Sequence, residues 1–220
     1  MNDDYVYETF EHNGLTIRIL ADQNPMDPRK WDQLGHMLCW HPEYVLGDEQ
    51  FKSPEDVGGS TSMREVAEFI RKERGGLNII PLFLYDHSGI TMSCGETIPD
   101  DEPATDEQTS VERGSFSSRT NSGGYAWDTS AVGFIYTTDE LIEKLGAPRD
   151  SLDRQLRAEV DEYDDYLTGN VWGYVITKVH ECGKVDCPHS EFIDSCTGFN
   201  GDPKYAIEEA KTVAEGYKPA

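Results

Sequence analysis

The chain has 220 residues, 37% of them hydrophobic and 10% aromatic, and 42 Asp and Glu against 19 Lys and Arg give it a formal charge of −23. That length and apolar content suit one sizeable core, and the charge repels phosphate backbones over a Debye length of about 8–10 Å, which sets aside direct DNA or RNA binding. No stretch reaches the roughly 18 uncharged apolar residues of a membrane span, and Met1-Asn-Asp-Asp4 lacks the basic and apolar regions of a signal peptide, so the expected location is the cytoplasm with no membrane partner.

Tyr5-Val-Tyr-Glu-Thr-Phe10 and Leu15-Thr-Ile-Arg-Ile-Leu20 alternate around Asn13-Gly14, which predicts a β-hairpin. Residues 22–60, rich in Asp, Pro and Gly with aromatic islands at Trp31, Trp40 and Tyr44, read as a packed irregular region. Ser62 caps a helix with Met63, Val66, Phe69 and Ile70 on one face, and Gly75-Gly76 ends it. The apolar run from Leu77 to Tyr85 predicts a central strand, with Asp86-His-Ser-Gly89 turning into Ile90-Thr-Met-Ser93. From Glu96 to Gly124 the chain is acidic and then Ser, Gly and Asn-rich, the composition of a mobile surface loop.

Ala131 to Tyr136 predicts a strand, and Thr137-Thr-Asp-Glu140 starts a short helix ended by Gly146. The clearest helix spans Ser151 to about Thr168, with Leu152, Leu156, Val160, Tyr163 and Leu167 at helical spacing and an acidic outer face. Val171 to Thr177 and Glu191-Phe-Ile-Asp194 form a strand pair around a Cys/His turn, and a last helix runs from about Pro203 to Glu215. Hairpins interspersed with helices predict an α+β fold: an antiparallel or mixed sheet covered by helices mainly on one side, as a single domain over residues 1–220.

Five cysteines, Cys39, Cys94, Cys182, Cys187 and Cys196, fit free thiols better than a disulfide framework. Cys182, Cys187 and His189 are a candidate structural zinc site if a bend brings them within about 2.0–2.3 Å of one ion, although C-x4-C-x-H is not a standard knuckle. Asp86 and His87, at a strand end, could act as metal ligands or as a base and its orienter, yet Asp, Ser and Gly are also what a tight turn requires. Cys39-Trp-His41 invites a dyad but reads more readily as packing, and Asp161 with Asp165, four apart on one helix face, as a solvated surface. Phosphate-loop, dinucleotide, zinc-protease and serine-hydrolase motifs do not occur in the sequence. Aromatic and small residues at loop ends, Trp31-Asp32, Trp127-Asp128, Trp172-Gly173 and Gly198-Phe199, are of the type that lines a small-molecule pocket.

Several ordered motifs run from about residue 15 to the last helix: Trp31-Asp-Gln-Leu-Gly35 with Met37, Cys39-Trp-His41, Tyr44 and Leu46-Gly-Asp48; Tyr85-Asp-His-Ser-Gly-Ile-Thr91; Trp127-Asp128 with Val132-Gly-Phe-Ile135; and Asp194-Ser-Cys196 with Gly198-Phe199. Together they resemble a family of uncharacterised proteins encoded by bacteriophages and related mobile elements. The chain departs from that pattern at Gln33, where members carry Asn, at Thr197, where they carry Trp, and in the stretch 96–124, which looks inserted. The resemblance implies a phage accessory protein acting in the host cytoplasm, and supplies no mechanism.

The charge admits three readings: adaptation to a saline cytoplasm, a plain solvated surface, or mimicry of nucleic acid toward a basic protein. The expected function is a non-catalytic inhibitor or decoy directed at a host protein or defence system. Its partner is a basic nucleic-acid-binding enzyme or, for a sponge, a nucleotide signal. The residues expected to bind are Trp31, Asp32, His41, Asp48, Asp86, His87, Trp127, Asp128, Asp194 and Phe199. The alternative is a metal-dependent nuclease or phosphatase in which Asp86 and His87 join Asp32, Asp48 or Asp128 around Mg²⁺ or Mn²⁺.

Overall fold

The opening hairpin follows from its alternation and its turn. Strand β1 (Val6–His12) pairs antiparallel with β2 (Leu15–Ala21) through Asn13 and Gly14, whose φ of 51° and 72° are the two left-handed conformations a two-residue hairpin turn needs. The computed structural model describes residues 5–86, 89–98, 129–179 and 190–217. These fall into two units: Pro28–Asp164 is one, and Met1–Asp27 with Asp165–Ala220 is the other.

In the first unit the chain forms β3 (His36–Trp40), β4 (Glu49–Phe51), α1 (Glu55–Gly58), α2 (Met63–Glu73), β5 (Leu77–Asp86), β6 (Ile90–Cys94), β7 (Thr129–Thr137), α3 (Asp139–Leu145) and most of α4 (Leu152–Thr168). Its five strands lie in the order β4-β3-β7-β5-β6, antiparallel except for the β3–β4 pair. Strand β7 is the middle of the sheet, and Val132 to Thr137 are all buried. One face packs Leu38, Trp40, Phe134 and Tyr136 against Met63, Val66, Ala67 and Ile70 of α2. Ser62 caps that helix as its sequence predicts, accepting the Glu65 amide at 3.2 Å.

The alternate residues Met37, Cys39 and Ile135 project to the other face and are fully buried. There α4 lies close. A Cβ on Gly35 would stand 2.6 Å from Ile135 Cδ1 and 2.7 Å from Leu156 Cδ2, so glycine is what lets the segment before β3 pass between sheet and helix. Leu152, Leu156, Val160 and Tyr163 are buried at the spacing read from the sequence.

The second unit completes the hairpin into a four-stranded antiparallel sheet, β1-β2-β8-β9, with β8 (Val171–Lys178) and β9 (Glu191–Asn200). Helix α5 (Lys204–Gly216) lies on it through Ala206, Ala210 and Ala214, small residues one turn apart that admit close approach to Ile17, Ile19, Tyr174 and Ile176. Each of those isoleucines is 0% exposed, which contributes roughly 1.5–3 kcal/mol per side chain.

The fold is therefore α+β, with its strands divided between two sheets that each have a hydrophobic cluster. Two readings need correction. Residues 22–60 contain β3, β4 and α1 besides irregular chain; β3 is buried on both faces and so shows no alternation, and β4 and α1 are only three and four residues long. The run from Leu77 is an inner strand, but the middle position belongs to β7. Residues 99–124 of the expected loop and the Cys/His turn at 180–189 lie outside the described residues.

Gly133 sits where β7 is paired on both sides, to Cys39 and to Leu82, and a Cβ there would lie 2.1 Å from the Leu38 carbonyl oxygen. Gly133→Ala should therefore spread the sheet centre and destabilise by about 1–3 kcal/mol, read as a lower urea midpoint.

Candidate functional site

The polar centre of the larger unit is Arg29, in a 3-10 turn (Pro28–Lys30), with its side chain 1% exposed. Nε donates to Asp48 Oδ1 at 3.0 Å and Nη2 to Asp48 Oδ2 at 2.6 Å, a bidentate pair. Nη2 also donates to the Gly35 carbonyl at 2.6 Å, and Nη1 to Glu159 Oε2 at 3.1 Å. Both carboxylates have further donors: Glu159 Oε1 accepts the Leu34 amide at 2.7 Å, Glu159 Oε2 the Gly35 amide at 3.0 Å, and Asp48 Oδ2 the Met37 amide at 2.7 Å. One cation thus fixes the start of β3, the loop after it and α4.

Burial works against charge on Arg29, but Asp48 and Glu159 more than offset it and raise its pKa. On Glu159 burial prevails and pushes the carboxyl up, although Arg29 and the Leu34 and Gly35 amides pull it down. Asp48 is exposed as a residue while its side chain is only 19% exposed, because the open surface is main chain.

A second cluster stands at one end of the same sheet. Strands β3 and β5 both run antiparallel to β7, so His41, just past β3, and Asp86, the last residue of β5, share that end. His41 Nδ1 accepts the Glu43 and Tyr44 amides at 3.1 Å each, which places the proton of the neutral ring on Nε2. Its ring stacks on Tyr44 at 4.8 Å, and Tyr44 Oη donates to Asp86 Oδ1 at 3.2 Å. Cys39 does not join His41 as a dyad: it is 0% exposed, and burial first, then Asp48, push its thiol up to about 12.

Within the smaller unit, Asp194 accepts the Ser195 amide at 2.8 Å and the Tyr174 hydroxyl at 3.4 Å, and Phe199 lies 5.9 Å from the Tyr174 ring. Asp194 and Phe199 therefore do meet, through Tyr174. Burial pushes the Tyr174 hydroxyl up to about 12, with Asp194 adding to it.

The residues singled out from the sequence thus take separate places. Asp32 is exposed and paired with Lys144 at 2.8 Å, Trp31 beside it is 43% exposed, Asp48 belongs to Arg29, and Asp86 joins His41 through Tyr44. His87, Trp127, Asp128, Cys182, Cys187 and His189 lie outside the described residues. The acidic face of α4 is not simply solvated: Asp161 is exposed, Asp165 is 6% exposed, and Asp164 accepts the Met92 amide at 2.7 Å. Among the described residues, no group of three or more His, Cys, Asp or Glu is placed to hold a metal ion, and no helix is long and apolar enough to cross a membrane. Comparison with protein-family models, curated proteins and solved structures gave no match.

Sequence reading missed Arg29 and Glu159. They are 130 residues apart, so no local spacing signals them. It also missed Glu49, which Arg74 grips through both guanidinium Nη atoms and which lies 3.2 Å from His36 Nε2.

Arg29→Met leaves two carboxylates without their cation and should cost about 3–5 kcal/mol near neutral pH. Burial already raises the pKa of Glu159 and Arg29 pulls it down, so without the cation it rises further and the loss should shrink as the pH falls and Glu159 protonates, measurable as converging urea midpoints of variant and parent.

The pKa of Glu49 is shifted in the opposite direction to that of Glu159. Arg74 holds it below its ordinary value of 4.5, against burial and with help from His36. Its contribution is complete above that value and is lost as the pH falls through the lowered one, so Glu49→Gln should destabilise at neutral pH and converge with the parent as the pH falls through the lowered value, read from urea midpoints.

Proposed function

We propose that the chain is a non-catalytic, acidic binding protein that acts as an inhibitor or decoy on a host protein with a basic, nucleic-acid-binding surface. The observation that carries this reading is the division of its carboxylates. Among the described residues, those that invited a chemical role each have a partner within the chain: Asp48 the buried Arg29, Asp32 the surface Lys144, and Asp86 the Tyr44 hydroxyl. Exposed carboxylates in excess of basic residues are meanwhile carried by helices such as α3, with Glu140 and Glu143, and α5, with Glu208 and Glu209, in a chain whose net charge is −23.

Carboxylates spread over several elements supply a long-range field that attracts a basic partner and repels nucleic acid. Two thiols add support, since buried Cys39 and half-buried Cys94, both pushed up to about 12 chiefly by desolvation, are poor nucleophiles. The biological setting, a phage accessory protein in its host, comes from the motif resemblance.

The competing proposal is a metal-dependent hydrolase built on Asp86 and His87, favoured by the position of Asp86 beside Tyr44 and His41 at a strand end. One set of measurements separates them. For an inhibitor, affinity for a basic nuclease target should fall steeply as salt rises, and Asp86→Ala, once shown to fold, should leave inhibition nearly unchanged. Hydrolysis of nucleic acids or cyclic nucleotides with Mg²⁺ or Mn²⁺, present in the parent and lost in folded Asp86→Ala, would overturn the inhibitor reading.

A further inference from the structure

We infer that the loop of residues 41–48 is the element that docks on the partner, with Val45 entering an apolar pocket and Glu43 meeting a basic group at its rim. This rests on the binding function proposed above and adds where and how contact is made.

Val45 is 84% exposed, more than any other large hydrophobic residue described, whereas Leu46 beside it is 1% exposed. The loop therefore has an inner apolar anchor and an outer apolar tip. An exposed valine alone needs no explanation. What distinguishes this one is the rigidity of the backbone that presents it.

The Glu43 and Tyr44 amides are held by His41 Nδ1, the Leu46 amide by Gln50 Oε1 at 2.9 Å, the Gly47 amide by Tyr163 Oη at 3.0 Å, and the Asp48 amide by the Met37 carbonyl at 2.9 Å. Gln50 Nε2 returns to the His41 carbonyl at 3.3 Å and the Phe51 carbonyl at 2.8 Å. At the base of the loop, Asp48 is locked to Arg29.

A mobile loop would lose backbone freedom on binding, at about 1–2 kcal/mol per residue; here the amides of Glu43, Tyr44, Leu46, Gly47 and Asp48 are already held in the folded chain, which lowers that cost. Exposed Glu43, two residues before Val45, gives the tip the same sign as the whole chain. The complementary surface is thus a protein with an apolar pocket bordered by Lys or Arg. Nucleic acids and anionic membranes are disfavoured because the charge of −23 repels both.

The experiment uses the full chain. The basic protein most strongly retained from host lysate at low salt is identified, purified and used as the probe for dissociation constants of the parent and of Val45→Asp, Glu43→Lys, His41→Ala and Phe192→Asp, each checked for folding by circular dichroism. Val45→Asp is decisive because it adds a carboxylate: under charge attraction alone affinity would hold or rise, whereas loss of an apolar plug should weaken it about tenfold or more.

Glu43→Lys should weaken binding severalfold, and His41→Ala should do so while speeding hydrogen exchange at the Glu43 and Tyr44 amides. Phe192→Asp, at a 62% exposed position on β9, should change affinity little. An unchanged or tighter Val45→Asp complex overturns the docking loop and leaves the acidic-inhibitor reading intact. Failure of the parent to retain any basic protein, or retention indifferent to salt, overturns both. Should Val45→Asp fail to fold, Val45→Ser is read in its place, with the same tenfold criterion.

Discussion

The larger unit depends on a single buried cation. Arg29 reaches Asp48 in one direction and Glu159 in the other, and these two carboxylates also take main-chain amides at Leu34, Gly35 and Met37. A charge at 1% exposure is tolerable only when its hydrogen bonds are made, and here all three guanidinium nitrogens donate. The geometry is demanding, because moving α4 or the loop before β4 would strand a carboxylate as well as the guanidinium. The network therefore ties the start of β3, the chain before β4 and α4 to one another at fixed hydrogen-bond distances.

That precision passes to the surface through the chain between β3 and β4. A parallel pair cannot be joined by a tight turn, so the connection must travel back along the sheet. Here it does so in a loop whose far end is fixed by Asp48 and whose near end is organised by His41. Gln50, from β4, fastens the middle to both sides. A loop so anchored can display an apolar side chain at a fixed point, which is what a binding element needs and a flexible linker cannot provide.

The two classes of carboxylate obey different physics. Asp48 and Glu159 act over hydrogen-bond distances in a low-dielectric interior and resist screening by salt. The exposed acids on α3 and α5 act only through a screened field, which carries sign and little geometry. An acidic protein can therefore contain highly specific carboxylates that have no part in recognition, and equally exposed ones that matter only in sum. Assigning function by residue type confuses the two.

The sequence by itself determined the local elements. The hairpin at Asn13-Gly14, the helix capped by Ser62, the heptad-like spacing of α4 and the strand pair of β8 and β9 all follow from periodicity and turn chemistry, which act over a few residues. It also pointed to His41, Asp48, Asp86, Asp194 and Phe199 as unusual, but not to their partners. Tertiary structure alone decided that β3 and β4 exist, since a strand buried on both faces has no alternation to read, and that β7 takes the centre of its sheet. It alone paired Arg29 with Asp48 and Glu159, 19 and 130 residues away. The physical reason is range: propensity and capping are local, whereas charge neutralisation in the interior depends on distances in space that only the completed packing sets.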